Sequence, residues 1–206
     1  MKLGFVDDET SSIINFRGWF VDDYILEIFE VDDSISAEEI AQKVLLSNLD
    51  MLIIDFKLDE NGNTSIDGNK VATEVRKLLP KLPLTILTSH ERDAVSHVDD
   101  GMLLRSKDEL SEEYIDIFKM KVFNTINNYQ SAVRKNKDIV KELSEKKLEI
   151  SLNEKEEEDL FNAYQFLNEI YPNDPTLKGY LTRPGELHTL VDLLEESRKM
   201  IESLKK

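Results

Sequence analysis

Short apolar segments alternate with helix-forming segments through the first half of the chain, and this alternation constrains the fold most strongly. Five segments have the apolar, β-branched character of buried strands: residues 3–6, 25–31, 49–56, 84–87 and 102–104. Parallel strands need long crossover connections, which are usually helices. We therefore predict an α/β fold with a five-stranded parallel sheet and helices on both faces.

The connecting segments carry helix signals. Ser36 followed by Glu39 has the pattern of a capping box, and Pro80 ends a later helix. The apolar residues of these two helices recur at helical spacing: Ile40, Val44 and Leu45, then Val71, Val75, Leu78 and Leu79. After the fourth strand a thinner helix would bury only Ala94, Val95 and Val98. The polar segment 57–69 is predicted to be a loop.

Strand signals stop at Glu112, and the rest of the chain is predicted to be helical. One helix, or a kinked pair, covers some thirty residues. Two more helices are predicted at residues 154–170 and 184–204, joined by the turn-rich segment 171–175. We divide the chain into an α/β domain, residues 1–130, and an all-α region, residues 131–206, whose expected core is Leu160, Phe161, Tyr164, Phe166, Leu167, Ile170, Leu187, Leu190, Val191, Leu194 and Ile201.

Composition excludes several kinds of site and partner. The chain has no cysteine, so disulfides and thiolate ligands are excluded. A formal net charge of −16 disfavours nucleic acid, and the basic residues of segment 134–147 are interleaved with acids, as on an exposed helix. No apolar run is long enough to span a bilayer, and the N-terminus turns acidic early. We expect a cytoplasmic protein with no membrane or nucleic-acid partner.

Polar residues stand at the ends of four predicted strands. Asp7 and Asp8 follow the first strand, Asp55 lies near the end of the third, Thr88 follows the fourth, and Lys107 follows the fifth. In a doubly wound sheet these ends converge on one crevice. Clustered carboxylates repel one another, and a divalent cation relieves that repulsion. Oxygen ligands favour Mg²⁺, with Mn²⁺ as a substitute.

With such a metal, Asp55 can attack a phosphoryl donor and form an aspartyl phosphate. Lys107 and Thr88 would then share the charge of the phosphoryl oxygens. Any one of these residues alone is more often a helix cap or a solvated loop residue. Their occurrence in order at four strand ends favours a functional site.

Four segments resemble the receiver domains of bacterial two-component response regulators: residues 5–9 (FVDDE), 52–55 (LIID), 86–89 (ILTS) and 106–107 (SK). The resemblance covers residues 1–130 and implies a flavodoxin-like (βα)5 fold. It also implies that Asp55 is phosphorylated by a histidine kinase or a phosphotransfer protein.

The resemblance further implies roles for individual residues. Asp8 and Asp55 would bind the metal directly, Asp7 mainly through water, and Lys57 through its backbone carbonyl. The positions of Lys57, Ser89 and His90 correspond to residues that modulate the phosphoryl group. We take as a hypothesis that Lys57 slows hydrolysis of the acyl phosphate.

The chain departs from the receiver pattern in four places, one of which is the short interval from Thr88 to Lys107 that leaves a thin fourth helix. Residues 58–66 make the loop before Asp67-Gly68 longer and more polar than usual. The lysine of the family is normally followed by proline, whereas Asp108 follows Lys107, and Arg105 is a rival for the lysine's role. The fifth strand lacks the usual aromatic residue. The phosphorylation site is therefore expected to be intact and the output surface altered.

These observations predict a response regulator without multiple-turnover activity, beyond slow autodephosphorylation. Its helical region would bind an effector protein, form a homodimer, or serve a phosphate-sink role. One alternative is a phosphohydrolase of the haloacid dehalogenase type, although such enzymes have two acids separated by one residue and Asp55 is followed by Phe56-Lys57. Another is a degenerate receiver that binds partners constitutively.

Overall fold

The computed structural model describes residues 1–32, 34–58, 66–89 and 104–178. Five strands form one parallel sheet: β1 (Lys2–Asp7), β2 (Ile25–Glu30), β3 (Met51–Asp55), β4 (Leu84–Thr88) and β5 (Leu104–Ser106). The strand order is β2-β1-β3-β4-β5, which is the flavodoxin-like arrangement. The predicted fold class is confirmed.

Six α-helices are described: α1 (Thr10–Phe20), α2 (Ala37–Ser47), α3 (Gly68–Leu78), α4 (Ile115–Glu149), α5 (Glu154–Ile170) and α6 (Pro175–Lys178). Ser36 and Glu39 form the predicted capping box at α2. α4 is one continuous helix of 35 residues, so a single helix occupies this segment. The thin helix around residues 94–98 and the helix at residues 184–204 lie outside the described residues.

Two features of the sheet domain differ from expectation. The (βα)5 fold implies a helix between β1 and β2, but no residues were assigned to it from the sequence; α1 occupies that position. α1 buries Ile13 and two aromatic residues on one face. Ile14 lies on another face and is 62% exposed, so apolar residues occur on both faces and the helical pattern is weak in the sequence. The fifth strand was predicted to end at Leu104 but continues to Ser106. β5 lies at the edge of the sheet and its residues are partly exposed, so the strand can include polar residues at its end.

The core lies on both faces of the sheet. On one face, α2 and α3 cover a buried cluster that includes Val6 and Ile54. On the other, α1 and the first part of α4 cover a cluster that includes Phe5. Phe5 stacks on Phe16 of α1 with ring centroids 4.0 Å apart. These two layers of helices hold the strands, and hence their ends, in fixed positions.

The chain divides into two compact units, Met1–Ala132 and Val133–Lys206, with α4 running across the division. In the second unit, α5 buries four of the predicted core residues, Leu160, Tyr164, Leu167 and Ile170, while Phe161 and Phe166 are half-buried. The predicted core residues between 187 and 201 lie outside the described residues.

Polar contacts also join α4 to α5 within this unit. Ser144 Oγ and Tyr164 Oη lie 3.2 Å apart, and Lys146 pairs with Glu156. Across the described part of the chain, no helix combines the length and apolarity required to cross a membrane.

Candidate functional site: a buried acidic cluster at the sheet edge

Three carboxylates meet at the carboxyl ends of β1 and β3. These strands are neighbours, and Val6 pairs with Ile54, so the residues that follow, Asp7 and Asp55, emerge side by side. Asp7 and Asp55 are each 1% exposed, and Asp8 is 7% exposed. One carboxylate oxygen from each of the three lies within 4.8 Å of the others. In this strand order, β1 and β3 flank the switch point where such sheets bind ligands.

Lys107 provides the positive charge of the cluster. Its Nζ lies 2.7 Å from Asp55 Oδ1. Arg105 was the alternative for this role, but its side chain is exposed on β5. Thr88, at the end of β4, is buried and stands in register with Ser106, the residue before Lys107. The structure thus brings together the ends of β1, β3, β4 and β5.

Burial makes Asp7 difficult to ionise. Desolvation is the largest effect and raises its pKa from 3.8 to about 7, and the negative charges of Asp55 and Asp8 act in the same direction. Two contacts oppose the rise: the backbone N–H of Glu9 donates to Asp7 Oδ1 at 2.8 Å, and Lys107 is nearby. A positive charge placed beside the three carboxylates would therefore favour their ionised forms.

The donor atoms of the cluster fit a hard divalent cation. Three carboxylates supply only oxygen ligands, which suit Mg²⁺ or Mn²⁺ and not a thiolate-seeking metal. A bound cation would also lower the pKa of Asp7, because an adjacent positive charge favours the ionised form. Asp7, Asp8 and Asp55 are thus the candidate metal ligands.

Gly68 has a positioning function that sequence reasoning did not assign. It begins α3, and its N–H donates to the Phe56 carbonyl at 2.8 Å. A Cβ at this position would lie 1.9 Å from the backbone oxygen of Asp55. Only glycine allows this close approach, which fixes the backbone of Asp55. The available signal was the Asp67-Gly68 pair, in which Asp67 caps α3 by accepting from the Lys70 N–H.

Two of the three proposed modulating residues, Lys57 and Ser89, are described. Lys57 is half-buried, two residues beyond the end of β3. Ser89 follows β4 and is exposed. His90 lies outside the described residues. The N–H of Phe56 donates to the Leu87 carbonyl at 2.8 Å. The hydrogen bonding between β3 and β4 therefore continues one residue past Asp55.

A cavity of about 390 Å³ opens beside the cluster. Asp7 and Lys107 form part of its wall, and Trp19 of α1 forms another part. The cavity therefore gives small molecules access to the side of the site that faces α1.

Comparisons with known proteins return matches only among solved structures. No family model matches the chain, and no curated protein matches it. An adenylate cyclase structure from Rhodopirellula baltica is 15% identical, with 66% of this chain and 94% of that chain covered and a TM-score of 0.49. The receiver domain of nitrogen regulatory protein C is 22% identical, with 62% and 95% covered and a TM-score of 0.48.

The response regulator TrrA of Thermotoga maritima, solved with Mg²⁺ and BeF, is 25% identical. The match covers 60% of this chain and 97% of that chain, with a TM-score of 0.46. The assignment of the site depends on the strand order and the side-chain geometry of this chain.

Proposed function

We propose that this chain is a phosphorylation-regulated signalling protein of the response-regulator type. Asp55 would accept a phosphoryl group from a phosphohistidine of a histidine kinase or a phosphotransfer protein. The observation that carries the proposal is the buried Asp55 carboxylate with Lys107 Nζ at 2.7 Å and two further buried carboxylates within 4.8 Å. Under this proposal, Asp55 would be the nucleophile, with the metal ligands on one side and the Lys107 ammonium positioned for the phosphoryl oxygens.

In the proposed reaction an Asp55 carboxylate oxygen forms a bond to phosphorus. The phosphorus–nitrogen bond of the donor breaks, and its electron pair stays on the imidazole, which leaves. Lys107 then pairs with the phosphoryl oxygens instead of with the carboxylate alone. Thr88, buried at the end of β4, supplies a hydroxyl donor to the same group.

Asp7, Asp8 and Asp55 would hold the cation, which we propose to be Mg²⁺. When bound, it would neutralise the carboxylates and polarise the phosphoryl oxygens. The burial of these three residues lowers the effective dielectric constant around them and so strengthens each electrostatic interaction.

Phosphorylation would act by shifting an equilibrium between two conformations of the α/β domain. The helical region would then contact an effector protein or a second copy of the chain. The net charge of −16 disfavours nucleic acid as the partner. We propose no multiple-turnover activity.

The test is incubation of the protein with Mg²⁺ and acetyl phosphate or phosphoramidate, followed by intact mass over time. Asp55→Asn is compared with Asp22→Asn, which removes an exposed carboxylate outside the site. We expect one stable phosphoryl adduct on the parent and on Asp22→Asn, and none on Asp55→Asn. Steady donor hydrolysis without an adduct would support the haloacid dehalogenase alternative. Absence of any reaction would support a constitutive binding module.

A further inference from the structure

Lys107 stands at the start of a short 3-10 helix, Lys107–Leu110, that joins β5 to the segment before α4. The lysine side chain is flexible, with four methylene groups between Cα and its ammonium. The position of Nζ near Asp55 therefore depends on how firmly the backbone around residue 107 is held.

Two serines hold the backbone of the next residue. The N–H of Asp108 donates to Ser106 Oγ at 3.2 Å. The carbonyl of Asp108 accepts from Ser111 Oγ at 2.7 Å and from Ser111 N at 3.1 Å. Both backbone polar groups of Asp108 are thus bound by serines on either side of the turn. We call Ser106, Asp108 and Ser111 the serine clamp.

The turn is also anchored to the rest of the domain. Lys121 of α4 pairs with Glu109 at 2.7 Å. Leu110 is partly buried and packs against the core cluster on the α1 side of the sheet. Glu109 and Leu110 therefore attach the C-terminal end of the 3-10 helix to the rest of the domain. The serine clamp restrains the backbone next to Lys107, at the N-terminal end.

We propose that Ser106 and Ser111 are positioning residues for Lys107. Two hydroxyl groups restrain the backbone at Asp108, the residue directly after Lys107. The inference rests on the proposed function, because the purpose of placing Lys107 is to meet the phosphoryl oxygens.

The variants are Ser106→Ala, Ser111→Ala and the double variant, with Ser131→Ala as the control for an exposed serine elsewhere on α4. Alanine at residue 111 retains the backbone carbonyl that accepts from Ile115 N at 2.9 Å, so the start of α4 keeps that bond. Ser106→Thr and Ser111→Thr restore the hydroxyl groups. Urea unfolding, followed by the fluorescence of Trp19, confirms that each variant is folded under the assay conditions.

The first measurement needs no phosphoryl transfer. In the metal-free protein, the ¹⁵N–¹H signal of the Lys107 ammonium reports its pairing with Asp55. We expect a slowly exchanging signal in the parent, in Ser131→Ala and in both threonine variants, and loss of that signal in the double alanine variant. A double variant that keeps the parent signal would overturn the inference.

The second measurement is the initial rate of acyl-phosphate formation against acetyl phosphate concentration. Loss of two hydrogen bonds is expected to lower the maximal rate about tenfold while the half-saturating concentration changes by less than about twofold. Threonine variants should recover the parent rate. An unchanged maximal rate in the folded double variant would overturn the inference. A parent that forms no adduct would refute the proposed function, while the ammonium signal would still decide the role of the clamp.

Discussion

Replacing Asp7 with asparagine is expected to stabilise the metal-free protein at neutral pH. Asp7 is 1% exposed, and burial raises its pKa from 3.8 to about 7. In the unfolded chain the same carboxyl ionises in water near its ordinary pKa. Between these two values the folded state holds a proton that the unfolded state has released, so the free energy of unfolding falls as pH rises from about 4 to about 7.

The magnitude follows from the two pKa values. One pKa unit corresponds to about 1.4 kcal/mol, so the cost to folding is about 4 kcal/mol at pH 7 and above, and under about 1 kcal/mol at pH 4. Asparagine removes this cost and can still accept from the Glu9 N–H, but its new amide N–H groups need partners, which costs about 1–3 kcal/mol. We therefore expect a net stabilisation of about 1–3 kcal/mol at pH 8, and none at pH 4.

Urea unfolding in a chelating buffer measures this difference. Trp19 of α1 is the single tryptophan of the chain, and it packs against the core cluster on that face of the sheet. Its fluorescence therefore reports the unfolding of the α/β domain. Asp22→Asn, at an exposed acid, is the control for loss of one negative charge. An Asp7→Asn variant no more stable than the parent at pH 8, or equally stabilised at pH 4 and pH 8, would refute the reasoning. Added Mg²⁺ should stabilise the parent more than the variant.

Three further predictions concern other parts of the α/β domain. Gly68→Ala places a Cβ 1.9 Å from the Asp55 carbonyl oxygen and should lower the free energy of unfolding by about 1–3 kcal/mol, measured by urea, while slowing adduct formation. Phe16→Ala removes a buried ring stacked on Phe5 and should cost about 3–5 kcal/mol in the same assay; a loss under about 1 kcal/mol would contradict the packing account. Lys57→Ala should shorten the half-life of the phosphoryl group by about two- to fivefold, measured by intact mass after donor removal, and an unchanged half-life would exclude the hypothesis.

The strands were predictable because a parallel sheet covered on both faces needs continuous apolar segments. The residue range of α1 was not predicted, although the fold implies a helix there and three of its residues are buried. Its exposed face carries Ile14, so polarity does not mark which side faces the core. A helix whose solvent face is itself partly apolar gives a weak periodic signal.

The acids of the site could be predicted because each stands at the end of an apolar segment. The choice between Lys107 and Arg105 could not, since it depends on where β5 ends. The structure continues β5 to Ser106, which puts Lys107 at the sheet edge and leaves Arg105 exposed. Gly68 was missed as a positioning residue because its contact with Asp55 joins segments separated by a loop.

The central claim is that Asp55 is the phosphoacceptor, and reductive trapping tests it most directly. The protein is treated with Mg²⁺ and acetyl phosphate, then reduced with borohydride, which converts an aspartyl phosphate to homoserine, and the peptides are mapped by mass. We predict homoserine at residue 55, dependent on Mg²⁺ and absent without the donor. Homoserine at another aspartate, the corresponding reduced alcohol at a glutamate, or neither in a protein that consumes the donor, would contradict the claim.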